Sequence, residues 1–168
     1  LWDKVERSGA EGRTGVASWR REVVPVFLGT FTPRLDDKGR LALPAKYRDE
    51  MADGVVVTPG QEHCLFVFSR DGFAERFARL LAAPVGSRQA RDATRFVAGA
   101  AHDDVPDKQG RITIPPKLRN YAGLDRDLVV VGAMSRLEVW EPSAWAAYQA
   151  ANEADFATLD EGVLDELF

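Results

Sequence analysis

Arg40 and Arg111 have the side chains best placed to do chemistry in this 168-residue chain. Each directly follows a glycine, Gly39 or Gly110, and each lies four residues after an aspartate, Asp36 or Asp107. An aspartate followed by a glycine at this spacing predicts a tight turn. The carboxylate accepts backbone N–H bonds and the glycine supplies the positive φ. The arginine then stands at the start of a strand, near the tip of a hairpin. A guanidinium placed there offers two parallel donors, which fit a guanine edge or a phosphate. Lys38 and Lys108 lie in the same turns and suit phosphate contacts, and Arg34 precedes the first turn on the incoming strand. Asp36 and Asp107 are expected to orient the arginines, because a carboxylate facing an anion repels it, although it can accept from cytosine N4. The bland alternative is a pair of surface salt bridges of little energetic value.

These residues belong to a stretch that occurs twice. Leu35 to Arg48 and Pro106 to Arg119 share an aspartate, a Gly-Arg, an alternating apolar triplet, a proline and a closing Lys-apolar-Arg, at a constant offset of 71 residues. A repeat of this length marks two versions of one unit. In the first unit, Val26 to Phe31 has strand-forming residues, Leu41-Ala42-Leu43 alternates, and Pro44 ends the strand and can open a short helix over 45–51. Strands are expected at 55–58 and 64–68. Ser69 is placed to cap a helix over 70–83, with Phe73, Phe77, Leu80 and Leu81 at helical spacing, and a second helix spans 87–98. The second unit repeats the order: strand 97–102, motif, helix 116–121, strands 128–132 and 137–140, and a helix over 143–151. An acidic amphipathic helix over 154–168, with Leu159, Val163, Leu164 and Leu167 on one side, closes the chain.

The net charge of −4 argues on average against an anionic partner, yet the distribution is uneven. Counting Arg34 just ahead of the first copy, nine of the 22 lysines and arginines belong to the two motifs, and none follows Arg136. One basic and one acidic face are therefore expected. No apolar run approaches the ~20 residues of a membrane span, and no leader of the secretory kind is expected. Cys64 is the single cysteine, so no intrachain disulfide can form, as suits a reducing compartment. His63 and Cys64 are adjacent and point to opposite faces of an extended strand, so with His102 they make a poor metal site and no Cys–His nucleophile. Trp140 and Trp145 read as core or subunit contacts. No carboxylate pair, triad or phosphate loop emerges, so no enzyme is expected and no cofactor, metal or small-molecule ligand.

Gly-Arg-apolar-x-apolar-Pro-x-x-x-Arg, at Gly39–Arg48 and Gly110–Arg119, resembles the swapped-hairpin DNA-binding domains of the AbrB type. Two such units, with Phe27 to Phe31 before the first and Arg119 to Leu124, Val131-Gly132 and Leu137 to Trp140 in the second, resemble the MraZ family over about Val26 to Phe156. The resemblance implies an α+β fold of two tandem AbrB/SpoVT-like β-hairpin units, forming a small β-barrel-like core with flanking helices. The units would span 26–97 and 98–168; before them, the scattered glycines and charge and the lack of a period over 1–25 point by composition to a disordered extension. The resemblance further implies a cytoplasmic, nucleoid-associated transcriptional regulator of the division and cell-wall gene cluster. Such a regulator binds double-stranded DNA at direct promoter repeats as a homo-oligomeric ring, away from membranes. DNA contact is expected at Arg34, Asp36, Lys38, Gly39, Arg40, Asp107, Lys108 and Arg111, with Lys38 and Arg40 foremost. Subunit number, operator sequence, the sign of regulation and which motif copy touches bases stay open. The rivals are an antitoxin-like AbrB-type module and an assembly scaffold that binds no DNA.

Val26 stands where the family's initiator methionine is expected, so residues 1–25 are expected to be upstream sequence, with Val26 marking a GTG start. Mass spectrometry of the natural protein should then find an N-terminus at that position. A mature chain beginning well before it contradicts the expectation.

Overall fold

The computed structural model describes residues 26–82, 87–159 and 163. The expected disordered extension over 1–25 and the apolar positions Leu164 and Leu167 lie outside the described residues.

The two motif copies pair with each other. Strands β2 (Arg40–Ala42) and β6 (Arg111–Thr113) form an antiparallel ribbon in which Leu41 faces Ile112, Arg40 faces Thr113 and Ala42 faces Arg111. Leu43 N–H donates to Gly110 O and Ile114 N–H to Gly39 O, each at 2.9 Å. Pro44 and Pro115 then stop the ladder, because proline has no N–H to donate. Residues two apart in a strand share a face. Leu41, Leu43, Ile112 and Ile114 therefore all point inward, each at most 1% exposed. Arg40, Ala42, Arg111 and Thr113 take the outer face.

The remaining strands are β1 (Thr30–Phe31), β3 (Val55–Pro59), β4 (Leu65–Ser69), β5 (His102–Asp104), β7 (Val129–Gly132) and β8 (Leu137–Trp140). They form one antiparallel sheet in the order β1-β7-β8-β4-β3-β5. The first unit's β1 pairs with the second unit's β7, and the second unit's β5 pairs with the first unit's β3. Each unit thus completes the other. The sheet is open, with β1 and β5 as its edges, so the small β-barrel-like core is realised as an antiparallel sheet closed over by the ribbon and not as a sealed cylinder.

Val55, Val57, Leu65, Val67, Val130, Leu137 and Val139 pack from the sheet against the inward ribbon residues, Phe27 and Leu118. The opposite sheet face is covered by helices α1 (Arg70–Ala82), α2 (Arg88–Ala100) and α4 (Pro142–Ala157). Phe73 of α1 meets Phe68 at 5.9 Å, and Trp145 and Tyr148 of α4 meet Trp140 at 5.4 and 5.1 Å. With both faces covered, every residue of β3 is buried, which is why its sequence is an apolar run rather than an alternation.

Several boundaries differ from expectation. The helix over 45–51 shrinks to a 3-10 turn, Ala45–Tyr47, closed by Tyr47 N–H on Pro44 O at 2.9 Å. In the second copy Pro116 occupies the first helical position and a true helix follows, α3 (Pro116–Tyr121). The strand expected from Val26 is cut to Thr30–Phe31 plus a Phe27–Met134 bridge, because Gly29 bends the chain at φ 95°. The strand expected from Val97 begins at His102, since Phe96 and Val97 continue α2. Ser69 and Ser87 cap α1 and α2, accepting from Gly72 N–H at 3.2 Å and Ala90 N–H at 3.1 Å. Glu141 caps α4, which opens at Pro142, just ahead of the expected start at 143. That helix runs on to Ala157, absorbing the start of the expected terminal helix.

Replacing Ile112 by alanine removes a fully buried side chain at the junction of the two units. The expected loss is about 2–5 kcal/mol, read as a lower urea midpoint. A loss below about 1 kcal/mol would contradict the placement of the ribbon over a shared core.

Candidate nucleic-acid interface

Each turn is built by its aspartate. Asp36 Oδ1 accepts the backbone N–H groups of Lys38 and Arg40 at 2.9 Å, and Gly39 N–H closes the turn on Asp36 O at 2.9 Å. Asp107 does the same for Gln109 at 2.9 Å and Arg111 at 3.0 Å. The second carboxylate oxygen then holds the arginine: Arg40 Nε donates to Asp36 Oδ2, and Arg111 Nε to Asp107 Oδ2, both at 2.7 Å. Gly39 and Gly110 adopt φ 72° and 71°, a region that L side chains rarely enter.

The outer face of the ribbon brings the two pairs together. Arg40 Nη1 lies 3.9 Å from Asp107 Oδ2, and Arg111 Nη1 lies 3.8 Å from Asp36 Oδ2. The result is a four-charge cluster of nearly twofold symmetry, its side chains about 30% exposed. Backbone N–H bonds from Arg40, with its guanidinium, hold the Asp36 carboxyl below the usual carboxylate range. The Arg111 side chain, helped by backbone N–H groups, lowers Asp107 to about 2.

The arrangement sorts the remaining candidate cations. Arg34 is committed to Asp127 at 2.7 Å, and Arg126 lies 3.7 Å from Asp37. Lys38 and Lys108 are exposed and make no ion pair among the described residues. They are not structural counterparts: by hydrogen-bond position Lys38 corresponds to Gln109, so Lys108 corresponds to Asp37. Three other motif cations, Lys46, Arg48 and Arg119, are structural. Lys46 donates to Leu28 O at 2.8 Å and lies over the Phe31 and Tyr47 rings. Arg48 and Arg119 each close over the other unit's turn glycine. A Cβ added at Gly110 would lie 2.5 Å from Arg48 Cδ, and one at Gly39 would lie 3.1 Å from Arg119 Cζ. This cross-unit contact was not anticipated, although the constant Pro-x-x-x-Arg spacing marks both arginines.

The other residues of interest stand apart from the ribbon. His63 packs its ring on Tyr121 at 5.1 Å, and His102 pairs with Val57 in the sheet. Cys64 is buried with Val129 and Trp140, and burial pushes its thiol up to about 12, which leaves it protonated and unreactive. Among the described residues no three His, Cys, Asp or Glu side chains are placed to hold a metal ion.

Two tandem units, each supplying one strand and one Asp–Arg turn to a shared ribbon, define a duplicated swapped-hairpin protein. The family model of the MraZ protein, described as antitoxin-like, matches residues 26–96 and again 97–167. A relative named transcriptional regulator MraZ from Salinispora arenicola is 58% identical over 142 residues, covering 84% of this chain and 100% of its own length. Relatives of the same name from Leifsonia xyli and Micrococcus luteus are 54% and 53% identical over 143 residues, each covering 85% of this chain and all of their own. The chain belongs to the MraZ family.

The lowered Asp107 has a consequence for acid stability. A carboxylate depressed in the folded state stabilises fully above its unfolded value, here 3.8, and that contribution is lost as pH falls through about 2. In a carbon-detected NMR titration the Asp107 carboxyl should titrate near 2, and Asp107→Asn should weaken the fall in melting temperature between those two pH values. A carboxyl that titrates at the ordinary value rules out the strong Arg111 pairing.

Proposed function

We propose that this chain is a sequence-specific DNA-binding transcriptional regulator of the division and cell-wall gene cluster. It binds direct repeats in double-stranded promoter DNA as a homo-oligomeric ring, in the cytoplasm at the nucleoid. The observation that carries this is the outward face of the β2–β6 ribbon, with Arg40 and Arg111 held side by side and Lys38 and Lys108 exposed at the tips. A two-stranded ribbon fits the major groove, which the width of a single loop does not fill. The name that the relatives share supports the regulatory role.

The units over 26–97 and 98–168 each give one tip to the interface. Arg34, Asp36, Gly39 and Asp107 shape and orient it, while Lys38, Arg40, Lys108 and Arg111 meet the DNA. Because both arginines are balanced by aspartates, a single subunit contributes few uncompensated charges and binds weakly. Several subunits on one ring, each meeting one repeat, raise affinity through effective concentration. The role needs no catalytic step, cofactor or small-molecule ligand.

The antitoxin-like description of the family model favours a second reading, in which the same DNA face accompanies a toxin-neutralising surface. Co-purification of a small basic toxin from the native host would support it.

Arg40→Ala should abolish repeat-specific binding in a gel-shift titration while light scattering shows an unchanged oligomer. Wild-type binding should weaken steeply with salt, as phosphate contacts release counterions. Equal affinity of wild type and Arg40→Ala for the repeats counts against the proposal.

A further inference from the structure

The two tips of the ribbon are built alike and furnished differently. Asp36 Oδ1 holds the backbone N–H of Lys38, and Asp107 Oδ1 holds that of Gln109, both at 2.9 Å. Gln109 therefore occupies in the second tip the place of Lys38 in the first. The tip itself is firm: Gly110 N–H bonds to Asp107 O at 2.8 Å, and Arg48 of the other unit packs against Gly110. The Gln109 side chain is exposed, and its amide makes no hydrogen bond among the described residues. Its neighbour Arg111 spends Nε and Nη2 on Asp107, both at 2.7 Å. At this tip the uncommitted polar heads are thus Lys108 and Gln109.

We infer, resting on the DNA-binding role proposed above, that Gln109 is a specificity-determining residue whose amide reads an adenine edge in the major groove. A lysine is a point charge with donors only, so Lys108 and Lys38 suit phosphate. A primary amide presents a donor and an acceptor side by side. That pattern matches adenine N7 and N6–H2 and no other major-groove edge as well. The carboxylate of Asp107 beside it disfavours phosphate at this position and leaves a neutral base edge acceptable. The two tips of one subunit therefore make unlike contacts: Lys38 holds the backbone at one end of the ribbon, and Gln109 discriminates a base at the other.

The test compares wild type, Gln109→Ala and Lys38→Ala on two duplexes, one spanning the DNA upstream of the protein's own coding sequence and one a shuffled version of it, across a range of salt. Gln109→Ala should lower the preference for the upstream duplex by roughly 5- to 150-fold, leave the salt slope unchanged and melt like wild type. Lys38→Ala should reduce the salt slope by about one and keep the preference. Single 7-deaza-adenine substitutions, which delete N7, should weaken wild type at one position per repeat and leave Gln109→Ala unaffected there. A Gln109→Ala protein with the wild-type preference, or with equal 7-deaza sensitivity, overturns the assignment and leaves the DNA-binding role standing. A wild-type protein that prefers neither duplex overturns both.

Discussion

The contact between Leu41 and Ile112 is the point on which the rest of the molecule depends. These two side chains, one from each unit, sit opposite each other with no exposed surface at the middle of a ribbon three residues long. A slip of either strand by one residue would turn its two inward residues to solvent and its arginine to the core, so the register is strongly specified. That register places Arg40 and Arg111 on the same outer face and brings each within about 4 Å of the other unit's aspartate. It also sets Gly39 under Arg119 and Gly110 under Arg48. Apolar packing beneath the ribbon and charge geometry above it are consequences of a single pairing.

The outer face is more balanced than a count of basic residues suggests. Two guanidiniums and two carboxylates share one small cluster, so their summed charge is close to zero while directional donors remain at the Nη groups of Arg40 and at Nη1 of Arg111. An arginine pinned through Nε loses little further rotamer freedom when its Nη groups meet a partner. The arrangement trades long-range attraction for preset direction. It fits a surface whose selectivity comes from orientation.

Much of this was legible in the sequence, and the exceptions have physical causes. The constant offset revealed the two units, and the Asp–Gly–Arg spacing revealed the turns. Periodicity located α1, α2 and the strand pairs, because burial on one side imposes it. Sequence could not tell that the motif strands pair with each other, nor that β1 and β5 cross between units. Alternation specifies which face is buried and not which partner covers it. The roles of Arg48 and Arg119 were hidden for the same reason, since a cross-unit lid over a glycine leaves no local pattern. Lys38 and Lys108 lie in equivalent turns but not at equivalent positions: the aspartate's hydrogen bonds align Lys38 with Gln109. The 3-10 turn after Pro44 and the helix after Pro115 differ through one extra proline, a local signal whose effect on length only the fold displays.

The crossed strands also govern when the protein can take shape during its synthesis. Thr30 and Phe31 have no ladder partner until Val130 and Val131 have emerged, and Val55 to Val57 lack one neighbour until His102 to Asp104 follow. The hairpin of β3 and β4 can form early, but the Leu41 strand must wait for Ile112. Pairings between such distant residues must close large loops before any contact rewards them, which makes folding slow relative to chains of local topology. The first half of the chain thus leaves the ribosome with apolar strands uncovered, and its maturation is timed by translation of the second.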